Sequence, residues 1–230
     1  MGFLKRFFRN VLHEEARTPC TSSFEHLTEE ELETHLGVQR YGSFWLTDAV
    51  RPSYDLQVIP QQGFRRDIYR DEENHTEVPV LMASASREML FELFMDFLEP
   101  LGGEVDVVLE TSHDHENGGH QDLYREHIDM PVLKSILWEY EEMLLNDGCS
   151  GIAIIDPTLP REVQFDEHKM LIAYGKPLET FESILASRDV VQDREMKFIT
   201  EAEHVHSSTE RYGKLFEELK VDLGMDGSYV

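Results

Sequence analysis

Two stretches of the chain, residues 86–110 and 129–156, are built to one plan: a capping residue, an apolar helical stripe, a glycine stop, an apolar strand and an acidic end. This plan constrains the fold more than any other feature, because each helical stripe needs a sheet to cover and each strand needs neighbours. In the first stretch Ser86 stands at the cap, and Met89, Leu90, Leu93, Phe94, Phe97 and Leu98 recur at helical spacing. Pro100, Gly102 and Gly103 then end the run before "EVDVVLET". In the second, Asp129 precedes "MPVLKSILWEYEEMLLNDG", with Pro131 tolerated in the first turn, and "GIAIID" follows. Ordinary α/β grammar accounts for the echo as readily as an internal duplication does.

The flanking segments extend the pattern. "VPVLMASAS" reads as a strand before the first helix. "GIAIID" turns through "PTLPRE" into "VQFDEHKMLIAYG", and a helix in "PLETFESILAS" leads to the strand "EMKFITEAEHVH". Ser207 and Glu210 form a capping box for a closing helix striped by Tyr212, Leu215, Phe216 and Leu219. The expected class is therefore α+β, with a ferredoxin-like split βαββαβ core over about 105–206, extended by a preceding strand-helix and a C-terminal helix. Helices should lie mainly on one face. Trp45, Trp138, Tyr140 and Phe181 are expected to fill the core.

Three regions follow: a basic amphipathic helix at 1–16, an irregular extension at 17–77 and the α+β domain at 78–230. In the first, Phe3, Leu4, Phe7, Phe8, Val11 and Leu12 share one side and Lys5, Arg6 and Arg9 the other. That leaves membrane-surface contact through residues 3–12, docking on a partner, or packing on the acidic domain as alternatives. The extension holds a short helix with a capping box at Thr28 and Glu31, stopped by Gly37. "YGSFWLTDA" and "YDLQVIPQ" are strand-like but confined to short or edge pieces by Pro52 and Pro60, and "RRDIYRDEENHTE" reads as a charged surface excursion.

With 46 acidic against 21 basic side chains, the net charge of -25 repels phosphate backbones, so no nucleic-acid partner is expected. A basic protein partner fits the charge. So does a plain solvated surface. Cys20 and Cys149 form no disulfide framework, and no run reaches the length of a membrane span, so a cytoplasmic chain is expected. Cys149 is read as a structural thiol.

Chemistry concentrates in "ETSHDHENGGHQDLYREH", residues 110–127. If the strand from 105 continues, His113 and His115 share a face, and a His-x-His pair in extended chain can chelate an ion such as zinc, with His120 and His127 completing a shell. Glu110 and Asp156, both read as strand ends at the same sheet edge, are the candidate catalytic carboxylates. The strand followed by "TSHDHENGG" resembles the His-x-His-x-Asp-His motif of metallo-β-lactamase-like hydrolases, which bind two metals. Only His113 and His115 match; Asn117 and Gly118 depart, and the rest of the chain does not supply that fold's repeated halves. No family membership follows.

A second pair, His204 and His206, is expected at the rim of the core, on the opposite edge from the loop histidines. Two functions stand: a non-enzymatic interaction or regulatory module engaging a basic partner, and a metal-dependent hydrolase using the 110–127 loop. The first is preferred, because the second needs a ligand set that spacing only suggests.

Overall fold

A computed structural model describes residues 22–71, 76–113 and 120–225. The basic segment 1–16, Cys20 and His115 lie outside the described residues.

The fold is mixed α/β around a large antiparallel sheet. In chain order come α1 (Glu29–Leu36), β1 (Arg40–Tyr41), β2 (Phe44–Trp45), β3 (Val50–Pro52), β4 (Gly63–Asp71), β5 (Thr76–Ser84), α2 (Arg87–Phe97), β6 (Glu104–Thr111) and β7 (Gln121–Asp129). Then follow α3 (Met130–Glu139), α4 (Glu141–Asn146), β8 (Ser150–Ile155), β9 (Glu162–Phe165), β10 (Leu171–Tyr174), α5 (Glu179–Ser187), a 3-10 turn at Ile199–Glu201, β11 (His204–His206) and α6 (Glu210–Asp222). Seven strands pair in the order β4-β5-β10-β9-β8-β6-β7, and β11 pairs with β3 in a separate ribbon.

This order is not the ferredoxin-like split arrangement expected for 105–206. Three local features account for the difference. β7 fills the place read as a loop: it is an edge strand in which half-buried Arg125 is followed by exposed Glu126 and His127, so no alternation of apolar residues announces it. "VQFDEHKMLIAYG" is not one strand but two, β9 and β10, because the Asp166 carboxylate accepts from the backbone N–H of His168 and Met170 and folds the chain back. The segment at 195–203 leaves the sheet through the 3-10 turn, so β11 never joins it. Residues 63–71, read as part of the irregular extension and its charged excursion, form the hairpin partner of β5.

The helices do cover one face. Phe94 and Phe97 of α2, Leu133 and Leu137 of α3, Leu144 of α4, Phe181 of α5 and Phe216 of α6 join Leu81, Leu109, Ile154, Phe165 and Leu171 from the strands in one apolar cluster. On the opposite face Met196 and Phe198 pack over Tyr69, Val80, Met82 and Ile172. The same face carries Glu110, Glu162, Gln164 and Asp166, all buried. Phe181 and Tyr140 are core residues as expected, whereas Trp45 is 36% and Trp138 49% exposed. Trp138 lies edge-on to Phe91 from the rim of the helix layer.

Caps match in part. Thr28 and Glu31 make the expected box and Gly37 ends the helix. The last helix is capped by Thr209, which accepts from Tyr212 N–H, rather than by Ser207. Ser207 is taken up by Ala49 and Gly148, because its N–H and C=O continue the β3/β11 ribbon.

Phe94 is fully buried and stacks on Phe165 with ring centroids 5.0 Å apart. Phe94→Ala should destabilise the fold by about 3–5 kcal/mol, since the helix layer and sheet cannot close on the space left. Urea unfolding followed by circular dichroism checks this value.

Candidate metal centre

Antiparallel pairing brings one set of strand ends to a single sheet edge. Thr111 at the end of β6 pairs with Ser150 at the start of β8, and Phe165 at the end of β9 pairs with Ile152 and with Leu171 at the start of β10. The turn Asp166–Met170, the turn Asp147–Cys149 and the ribbon strand β11 all meet here.

Gly148 makes the meeting feasible. A Cβ on it would lie 2.2 Å from the Ala49 carbonyl oxygen and 2.9 Å from that of Ser207. Without one, Gly148 N–H donates to Ser207 at 2.8 Å, Ser207 N–H donates to Ala49 at 2.8 Å, and the ribbon is held against the start of β8.

In β11 the alternation of an extended chain puts His204 and His206 on one side and Val205 on the other. His168 approaches them from the β9–β10 turn. His168 Nε2 and His204 Nε2 are 3.1 Å apart, the three ring centroids are separated by 4.6–5.0 Å, and one ligand nitrogen from each ring lies within 4.8 Å of the others.

The second nitrogen of each ring is already committed. His204 Nδ1 bonds the Ala202 carbonyl at 2.8 Å, His206 Nδ1 the Gly148 carbonyl at 2.7 Å, and His168 Nδ1 the Asp166 carboxylate at 3.0 Å. A carbonyl or ionised carboxylate only accepts, so each Nδ1 carries its hydrogen and each neutral ring presents an Nε2 lone pair. At 3.1 Å the His168 and His204 Nε2 atoms are held together either by a proton that His168 carries or by a metal ion between them. Zinc with tetrahedral nitrogen ligands at about 2.0–2.1 Å requires nitrogens roughly 3.3 Å apart, close to the one separation seen here.

The electrostatics fit neutral donors at His204 and His206. Burial, then the neighbouring His168, pushes His204 and His206 down to about 4. Burial also opposes charge on His168, but the charge of Asp166 and its hydrogen bond outweigh it and hold His168 above its ordinary value. Lys169, buried beneath the turn, donates to the Ser150 carbonyl at 2.8 Å and is pushed down to about 8 by burial. A cleft of about 440 Å³, counting its opening to solvent, runs beside His168 and Lys169 between Phe44, Leu46 and Phe198. Its enclosed part has room for about one water molecule.

The residues expected from the sequence are distributed differently. His113 Nε2 lies 2.8 Å from Asp147 Oδ2, close to Cys149, in a group separate from the three-histidine cluster. Asp147 is fully buried, and the bonds from His113 and Ser208 outweigh burial to keep its carboxyl below the usual range. Burial pushes the half-buried Cys149 thiol up. His120 groups with Glu110 and Asp122. His127 is the correction among the metal candidates: it occupies a β-bulge opposite Asp106, pairs with Glu104 at 2.9 Å, and sits at the far edge, roughly 20 Å along β6.

Asp156 is also at the far edge, because β8 runs against β6. Its carboxylate accepts from Thr158 N–H, the Thr158 hydroxyl and Leu159 N–H, which closes the β8–β9 turn. Glu110 is at the near edge as expected, 5% exposed and pushed up to about 9 by burial and then by Asp122. His168 was invisible in a segment read as a single strand. Its signal was Asp166 two residues before it, a turn-forming carboxylate placed to orient an imidazole. His204 and His206 share the near edge with His113, contrary to the expected topology, although His113 groups with Asp147 and Cys149 rather than with them.

No protein-family model, no curated protein and no solved structure matches the chain.

Two outcomes test this description. Gly148→Ala should cost about 1–3 kcal/mol through overpacking against Ala49 and Ser207, read by urea unfolding. Glu162 is pushed up to about 8 by burial, so its stabilising neutral form is complete below its ordinary value of 4.5 and is lost as pH rises through 8. Glu162→Gln should therefore remove a loss on the order of a few kcal/mol across that window. Parallel unfolding curves for variant and wild type between those limits would contradict the assignment.

Proposed function

We propose that this chain is a metal-binding protein whose ion is held by His168, His204 and His206, with a fourth position open to water. The observation that carries the reading is the set of three imidazoles whose Nδ1–H groups are each tied to an acceptor-only partner, leaving Nε2 as the donor. Imidazole donors suit Zn2+ among first-row ions, and three protein ligands with one solvent position is the arrangement of catalytic rather than structural zinc. The ion would lower the pKa of bound water and present hydroxide beside the cleft at neutral pH. The class supported is thus metal-dependent hydrolysis, at the near sheet edge but on a different ligand set from the 110–127 loop. Asp166 acts as a positioning residue. It fixes the His168 tautomer and the turn that carries the ring. Engagement of a basic partner by the acidic surface, the reading drawn from net charge, is compatible with this centre and concerns a different part of the molecule.

Metal analysis of protein exposed to zinc and then freed of loose ion by gel filtration should give one equivalent, absent from a His204→Ala/His206→Ala variant. Asp166→Asn should weaken binding by about 10–100-fold. The zinc-loaded protein should hydrolyse 4-nitrophenyl acetate faster than the double variant. Equal zinc content in wild type and double variant would show a hydrogen-bonded histidine cluster instead. Zinc retained without any gain in ester hydrolysis would show a closed structural site.

A further inference from the structure

We propose that a second divalent cation, of the Mn2+ type, binds between Glu110, His120 and Asp122 on the same sheet edge. This site does not require the three-histidine centre to be filled. His120 Nε2 lies 3.4 Å from Asp122 Oδ1 and 3.9 Å from Glu110 Oε2, and one donor atom from each residue lies within 4.8 Å of the other two.

The strand register creates the arrangement. Glu110 on β6 stands directly opposite Asp122 on β7 and opposite Gly151 on β8, so the three share one face of the sheet. Like charges in a cross-strand pair repel, and such a pair weakens the hairpin it sits in. Gly151 leaves the remaining space open: a Cβ there would lie 3.3 Å from Glu110 Oε2.

Glu110 is the observation that points to a ligand. It is more than nine-tenths buried, and the His120 nitrogen that faces it lies 3.9 Å from Oε2, beyond hydrogen-bond reach. Its charged neighbours are themselves acidic: Asp122, Asp166, Glu162 and Glu167. Two carboxylates facing one another across a hairpin, one of them buried, are costly, and a cation coordinated by Glu110 and Asp122 removes the repulsion. His120 stands at the solvent side of the pair with its ring 41% exposed, so an ion can enter and leave.

The donor set separates the two sites chemically. Two carboxylates and one imidazole favour a harder ion than three imidazoles do, so Mn2+ is expected here and Zn2+ at His168, His204 and His206.

The test is electron paramagnetic resonance of Mn2+ added to the full chain after it has taken up one equivalent of Zn2+. High ionic strength suppresses diffuse attraction to the acidic surface. One Mn2+ per chain should lose its free-ion signal. A Glu110→Gln/Asp122→Asn variant, isosteric at both positions, should bind at least tenfold more weakly while keeping its zinc. The His204→Ala/His206→Ala variant should keep the Mn2+ site and lose zinc, so failure of either site is read without reference to the other. A free-ion signal undiminished by wild type, or equal Mn2+ binding by wild type and the Glu110/Asp122 variant, would overturn the proposal and assign the pair as carboxyls sharing a proton.

Discussion

The close approach of three backbone segments at Gly148 is the constraint on which the candidate chemistry depends. Ala49, Ser207 and Gly148 come near enough to exchange backbone hydrogen bonds because position 148 has no side chain. From that contact follows the placement of the β3/β11 ribbon, and from the ribbon the positions of His204 and His206. The Gly148 carbonyl itself accepts from His206 Nδ1, so one residue both admits the ribbon and sets the tautomer of a ring it carries. The neighbouring Asp147 turns the other way, towards His113. A single tight turn therefore supplies a partner to each of two clusters, Asp147 to His113 and Gly148 to His206.

A second device of the same kind is Asp166. One carboxylate oxygen closes the β9–β10 turn by accepting two backbone N–H groups, and the other holds His168. Burial makes this economical in residues but demanding in electrostatics. The sheet face behind the turn carries Glu110, Glu162, Gln164 and Asp166 beside a smaller apolar cluster, while α2 to α6 crowd the opposite face. The outcome is a sheet with one apolar side and one side on which buried carboxyls gather near imidazoles. Charge that is unremarkable on a solvated surface becomes chemically consequential there, because low dielectric raises the cost of leaving each group unpaired.

Much of the helix layer was legible in the residues. The Met89 to Leu98 stripe, the Thr28 capping box and the apolar runs at 105–109 and 151–155 became the elements they suggested, since each records a local period that packing then uses. The site was less legible. The 204/206 pair carried the correct chelating parity, and Glu110 was singled out. His168 was hidden inside an apparent strand, and β7 was concealed by the charges that protect an exposed edge. Missing β7 inverted the direction assigned to everything after it. For that reason Asp156 was expected beside the histidines and His206 far from them.

What the sequence by itself determined was local: where the chain is helical or extended, which side chains share a face, and which segments hold imidazole and carboxylate at ligand spacing. These follow from backbone periodicity, which acts over a few residues. Only the tertiary structure decided that 110, 120, 148, 168 and 206 belong to one edge. Strand direction and partner choice depend on which surfaces bury against each other across the whole chain, and no local pattern encodes that sum.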